Sequence, residues 1–523
     1  MNMRVSASLV MILSLVTAAA SAGPPRRPFE APDRAAPWTA LDGPVSVQLR
    51  RLGIEPANAC SDEVFVRRVF LDVIGTLPTA KQARLFLEDK SSNKRAALID
   101  ALLEQDEFAD YWALKWCDLL RVKSEFPINL WPNAVQAYHK WIRTAIVENM
   151  PYDQFARAML TSSGSNFRVP TVNFYRAVQG RRPRDLAQAA ALAFMGTRID
   201  AWPDEKRDQF AAFFSRVGYK RTAEWKEEIV YFETPAPDAP TDFVLPDGRT
   251  VRIAPDKDPR QVFADWLITP DNPSFARVVV NRIWYWLLGR GIIHEPDDLR
   301  PDNPPANAQL LVYLEQQLVR SKYDLKHIYR LILNSGTYQR SCIPASDHPQ
   351  AEAQFAYYPL RRVEAETLAD ALCQISGTHE EYWSPIPEPF TIIPPELRSI
   401  ELADGSITSS FLELFGRPPR DTGFIAERND VMNDAQRLHM LNSSHVRRKL
   451  ENGQNLRVLV RAGGGDPGRI VEEIYLTVLS RYPTEQEIDV LRRYAKIETV
   501  NRNEVAIDLI WALVNSSEFL YRH

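Results

Sequence analysis

The sequence predicts a mainly α, multi-helical two-domain protein with a small β-element at the domain junction. Three observations carry this. Apolar residues recur with helical spacing along most of the chain. A Pro-rich stretch with alternating apolar residues interrupts that spacing once. One helical hairpin is repeated near both ends. Composition agrees: of 523 residues 45% are hydrophobic and 25% charged, which excludes collagen-like, coiled-coil and globally disordered chains. Lys and Arg number 63 against 67 Asp and Glu, for a net charge of −4. That is too near neutrality for a nucleic-acid-binding polycation.

In chain order, residues 1–22 read as a cleaved signal peptide. Arg4 supplies the positive start, Leu9 to Ala20 the apolar run, and Ala20-Ser21-Ala22 the small-residue cleavage site. The run is shorter than the about 20 apolar residues that span a bilayer, so no transmembrane segment is expected after cleavage. The expected location is periplasmic or secreted. Residues 23–61, rich in Pro, Arg and Ala, read as a tether.

The N-terminal helical domain is expected over 62–234. Val66, Val69, Phe70 and Val73 share one helix face. Pro78 ends that helix and Thr79 caps the next, Ala80 to Glu88. Further helices follow over Lys94–Gln105, Phe108–Leu120, Ala134–Glu148, Tyr152–Leu160, Arg184–Phe194 and Lys206–Val217. Residues 235–259 form the Pro-rich linker with a β-hairpin, in which Asp247-Gly248 supplies the turn between Phe243–Leu245 and Thr250–Ile253. The C-terminal helical domain, 260–523, resumes with Arg260–Leu267, Pro273–Leu288, Asn307–Arg320, Leu325–Leu333 and Ala365–Ile375. Prolines make Tyr382–Pro395 irregular. Helices return over Ser409–Phe415, Ala435–Leu441, Ser444–Glu451, Pro467–Leu479, Thr484–Ile497 and Asn503–Val514. Val66–Thr79 matches Val471–Thr484 without a gap, which places the two ends of the chain in related packing positions.

The densest polar cluster is Arg277, Asn281 and Arg282 on one helix, a Gly289-Arg290-Gly291 cap, and then His294, Glu295, Asp297 and Asp298. It reads either as an anion-binding face beside an acid/base carboxylate, Asp298, or as an Arg–Asp network pinning the helix to its loop. A second group, Arg67, Arg68 and Asp72, is absent from the C-terminal repeat, where Glu473 and Thr477 stand in place of Arg68 and Asp72. The candidate catalytic residues are therefore Asp72 and Asp298, and the candidate binding residues Arg277, Asn281, Arg282, Arg290, Arg67 and Arg68. No helical zinc or EF-hand spacing occurs, so no metal and no cofactor are expected. The Gly463–Gly465 run lacks a following Lys-Ser/Thr and reads as a loop. Cys60, Cys117, Cys342 and Cys373 allow three pairings or four thiols packed as small hydrophobes. Of twelve tryptophans, Trp131, Trp202, Trp225 and Trp383 lie in loop-like segments and are the candidates for exposed stacking surfaces.

Several runs together resemble a bacterial secreted family. They are Phe65 to Thr79, Trp116 to Arg121, Asn149 to Phe155, Asn272 to Arg282, Gly289-Arg290-Gly291, Pro296-Asp297-Asp298, Leu325-Lys326-His327, Ser335 to Gln339, Arg361 to Asp370 and Leu441-Asn442-Ser443. The family is the planctomycete-type tandem of the domains of unknown function fifteen-forty-nine and fifteen-fifty-three. The resemblance covers Asp62 to the C-terminus. It implies a secreted protein associated with polysaccharide and with sulfatase-like secreted proteins, and it brings no established catalytic residue. Many members carry a C-x-x-C-H haem-type motif where this chain has Met195 to Pro203, with neither cysteine nor histidine. The family's cysteines near Phe424 to Arg428 are missing as well. The expectation is an extracytoplasmic binding or partner-dependent component of surface-polysaccharide handling. The alternative is a polysaccharide hydrolase, with sulfated glycans among its candidate substrates and Asp/Glu acid–base residues; electron transfer ranks third.

Overall fold

A computed structural model describes residues 29–31, 38–234, 240–455, 458–459, 466–496 and 502–523. The signal-peptide reading at 1–22, the first part of the linker at 235–239 and the Gly463–Gly465 run lie outside the described residues. Helix accounts for 53% of the chain and strand for 6%, so the fold is mainly α. Among the described residues, no helix is long and apolar enough to cross a membrane.

The Asp62–Val73 helix starts where Ser61 Oγ accepts the Val64 N–H at 3.2 Å, a normal N-cap. Every residue from Val64 to Val73 is buried, including Arg67, Arg68 and Asp72. A helix buried on all faces must find partners for its charges, and this need shapes the middle of the molecule. After Pro78, Thr79 and Gln82 form a capping box that opens the Ala80–Glu88 helix. The C-terminal copy repeats the device with Thr484 and Glu487. The two hairpins pack against each other. Arg84 pairs with Glu473 at 2.5 Å, and Arg67 Nη1 donates to the Val478 carbonyl at 2.8 Å. The chain's last strand, Tyr521–Arg522, pairs antiparallel with Arg361–Arg362.

Two stretches differ from the sequence reading. The helix expected over Lys206–Val217 is an Asp204–Ala211 helix and one 3-10 turn, Ala212–Phe214, followed by a strand, Val217–Arg221. Phe210, Phe213 and Phe214 keep the helical period up to that point. Beyond it, alternation puts Val217 opposite Phe232 and Tyr219 opposite Val230 in an antiparallel ladder. The stretch read as a tether contains a helix, Asp42–Leu52. It buries Val45 and Leu49, and its Asp42 carboxylate accepts the Gly336 and Thr337 N–H groups at 3.0 and 2.8 Å.

The hairpin Thr241–Val244/Thr250–Ile253 is present with Gly248 at its turn, but the core does not stop there. Phe213 stands 5.2 Å from the Phe243 ring and 6.0 Å from Phe263. One continuous core runs from Leu41 to Ala403. A second gathers Val363, Leu368, Leu412, Leu479 and Val514 around Leu71 and Leu77 of the first hairpin. All four cysteines are free thiols, Cys60 and Cys117 buried and the other two half-buried.

Candidate functional site

The described residues enclose an open cleft of about 810 Å³. Its walls are the Pro183–Met195 helix, the Asp204–Ala211 helix, the end of the Asp106–Leu119 helix at Arg121, and the loop Asp421–Phe424. Pro183 opens the first of these helices and Gly196, at φ 57°, closes it, the N-terminal proline and C-terminal glycine expected of a helix with firm ends. The loop is held on several sides. Asp421 pairs with Lys123 at 2.6 Å. Glu427 Oε1 accepts the Asp421 and Thr422 N–H groups, and Asp297 Oδ2 accepts that of Ile425 at 2.6 Å. Gly423, at φ 78°, is required, because a Cβ there would lie 2.6 Å from the Leu119 carbonyl oxygen. The Arg198 guanidinium sits 4.6 Å over the Phe424 ring. The segments Met195 to Pro203 and Phe424 to Arg428 therefore meet at this cleft.

Most charges of the cleft are paired. Asp185 holds Arg182 at 2.9 Å, and Asp208 holds Arg184 at 2.6 Å. Three buried nitrogens on the lining residues have no acceptor: Arg121 Nη2, Gln188 Nε2 and Arg207 Nε. All three are donors.

The sequence-derived candidates occupy other positions. Arg282, fully buried, donates to the Ala193 and Leu192 carbonyls at 2.5 and 2.6 Å and to Asp297 Oδ1 at 2.9 Å. It thereby ties the C-terminal turn of the Pro183–Met195 helix to the carboxylate that holds Ile425. Asn281 exchanges two 2.9 Å hydrogen bonds with the Ile293 backbone. Arg277 pairs with Glu315 at 2.7 Å, and Asp298 with Arg300 at 2.8 Å. Arg290 is half-buried, with its Nε unpartnered. Arg67 donates to the Val478 and Phe519 carbonyls, and Arg68 to those of His523, Tyr338 and Arg340. Asp72, 1% exposed, accepts from Tyr338, Tyr358, Arg361 and Arg522 at 2.8 to 2.9 Å. Asp72 and Asp298 share no hydrogen-bond partner.

A second charge network, absent from the sequence-derived candidates, joins the cleft loop to the interior. Asp118 pairs with Arg420 and Arg428 at 2.8 and 2.7 Å, and Glu366 with Arg428 at 2.6 Å. Burial works to raise the Glu366 carboxyl, but Arg428 and Arg417 overcome it and hold it at about 2. Nearby, Glu364 pairs with Lys115. Burial again opposes ionisation of Glu364, while Lys115, Arg522 and Arg428 hold its carboxyl well below the usual range. Burial and the Glu364 charge push Asp430 the other way, upward. Spacing between Asp118 and Arg121 was the only local signal, since the cationic partners of Asp118 lie some 300 residues further along the chain. Among the described residues no group of three or more His, Cys, Asp or Glu forms a metal-ligating set.

Of the loop tryptophans, Trp225 and Trp383 are 68% and 50% exposed. Trp131 meets Trp225 and Phe390 at ring distances of 6.3 and 5.3 Å, forming a small aromatic surface.

Residues 40–218 match the family model PSCyt2, a protein of unknown function (DUF1549), and residues 259–495 match PSD1, a protein of unknown function (DUF1553). No curated protein and no solved structure gives a match. The first matched region supplies Arg121 and the two helical walls of the cleft, and the second supplies the Asp421–Phe424 loop. The chain belongs to the family that carries these two domains in tandem.

Proposed function

We propose that the chain is an extracytoplasmic binding or partner-dependent component of surface-polysaccharide handling, and that the cleft between the two family domains holds the saccharide. One observation carries this reading: an open cleft of about 810 Å³ whose unsatisfied polar groups are hydrogen-bond donors. Its size falls in the range of about 300–1,000 Å³ usual for ligand sites, and sugars present rings of acceptor oxygens. The Trp131–Trp225–Phe390 surface adds exposed faces of the kind that stack on sugar C–H groups. The extracytoplasmic location rests on the signal-peptide reading of residues 1–22. The polysaccharide, and sulfatase-like secreted proteins as partners, rest on the family resemblance.

Hydrolysis of a glycoside calls for two carboxyl groups flanking the bond, about 5–9.5 Å apart. Asp72 is closed off by four donors, and Asp298, half-buried, is paired with Arg300, so binding is the better-supported activity. The test is retention of the chain on immobilised neutral and sulfated polysaccharides, with reducing ends measured in parallel. Retention without release is expected. Release of reducing ends that disappears in Asp298→Asn would establish the hydrolase instead, and absence of retention on every polysaccharide would remove the reading.

A further inference from the structure

Within the saccharide cleft, and resting on that reading, we infer a subsite for an anionic substituent of the sugar, built on Arg121. The substituent is a sulfate ester, a phosphate ester or a uronate carboxylate, three groups that present the same paired acceptor oxygens.

Arg121 follows the Asp106–Leu119 helix, at a position where the backbone turns through φ 55°. That turn brings its side chain under the cleft, where it is only 5% exposed. Its Nε donates to the Ala177 carbonyl at 2.6 Å and its Nη1 makes a long contact of 3.5 Å to the Thr422 carbonyl. Nη2 has no acceptor. Among the described residues no carboxylate forms an ion pair with it.

Four of the surrounding acids are already engaged. Asp421 is held by Lys123, Asp185 by Arg182, Asp208 by Arg184, and Asp118 by Arg420 and Arg428. A buried cation without a paired counter-charge is costly; burial pushes this guanidinium down to about 10, against the opposing influence of Tyr138 and of Glu427, whose Oε2 has no hydrogen-bond partner. Among the described residues Glu427 makes no ion pair with it, and burial pushes the Glu427 carboxyl upward, which leaves Nη2 open to the charge of a ligand.

Other buried arginines that lack ion pairs do not share this setting. Arg67, Arg68, Arg340 and Arg362 donate to carbonyls as Arg121 does, but none of them lines the cleft. At Arg121 two further spare donors, Gln188 Nε2 and Arg207 Nε, belong to the same cleft. A guanidinium fork with neighbouring N–H donors matches an oxyanion in both charge and geometry. It has no comparable complement to a neutral hydroxyl.

The experiment is calorimetric titration of the full chain with three probes. These are a neutral oligosaccharide, the same oligosaccharide carrying sulfate esters or uronates, and inorganic sulfate. The expected result is at least tenfold tighter binding of the anionic saccharide than of the neutral one. Arg121→Gln should bring the anionic affinity down to the neutral value, and Arg207→Gln should weaken it severalfold. Sulfated against uronate probes then tell which substituent the subsite takes. Equal affinity of wild type for neutral and charged saccharides, or a preference that survives Arg121→Gln, overturns the subsite and leaves saccharide binding standing. Sulfate binding lost in Arg121→Gln, without binding of any saccharide, keeps the subsite and removes the polysaccharide reading. Because Arg121 also holds two carbonyls, wild type is followed by thermal denaturation as well. Sulfate must raise its Tm above that in sodium chloride of equal ionic strength; an identical Tm counts against the subsite.

Discussion

Asp72→Asn is expected to lower the unfolding free energy by about 3–5 kcal/mol, the usual result of removing one partner from a buried ion pair. Asp72 lies at 1% exposure and faces two guanidinium groups, Arg361 and Arg522, and two tyrosine hydroxyls. Neutralising it leaves the Arg361 guanidinium without a carboxylate and Arg522 with only Glu364, 3.6 Å away. Tyr338→Phe removes a single hydrogen bond from the same carboxylate and should cost only about 1 kcal/mol. Denaturant midpoints at constant slope separate the two effects. An Asp72→Asn variant within about 0.5 kcal/mol of wild type, the range of an ordinary surface change, would contradict the network. The same geometry explains why Asp72 is unsuited to proton transfer. It joins the Asp62–Val73 helix to the strand pair Arg361–Arg362/Tyr521–Arg522 and has no lone pair directed at solvent.

Arg282→Met should be comparably destabilising, again by about 3–5 kcal/mol, and should also loosen the cleft. The guanidinium satisfies three acceptors, two of them terminal carbonyls of the Pro183–Met195 helix and the third Asp297. Asp297 in turn carries Ile425 of the loop. Removing the arginine strands a buried carboxylate and frees both walls. Limited trypsin digestion checks the second effect, with Arg420 and Arg428 expected to be cut earlier than in wild type. Arg282→Lys should not rescue, because one ammonium cannot reproduce the planar fork that reaches three acceptors. A lysine variant with wild-type stability and cleavage rate would show that Arg282 is not the tie between the walls.

Most helices were readable because their apolar period is local. The hairpin repeat was readable for the same reason, down to the caps at Thr79 and Thr484. The strand Val217–Arg221 was hidden because Phe210, Phe213 and Phe214 continue the helical period into it. The Asp42–Leu52 helix was hidden by the Pro- and Arg-rich composition on either side, although its Val45 and Leu49 are correctly spaced. At the site the limit is of another kind. The sequence marks Arg282 and Asp72 as unusual charges, but their partners lie about 90 and up to 450 residues away. Arg121 stood within a quoted motif without distinction. Its significance arises only when Thr422, three hundred residues downstream, closes over it. Residue types tell which groups carry charge, and only the tertiary contacts tell which carbonyl or carboxylate absorbs it.

The proposed ligand position is the cleft between the two family domains. Amide hydrogen exchange of the full chain, with and without a saturating anionic oligosaccharide, tests it most directly. The account predicts slowed exchange in residues 179–208 and 421–425 and little change around Asp298. Protection confined to the segment 285–302, with the cleft unchanged under saturating ligand, would contradict it.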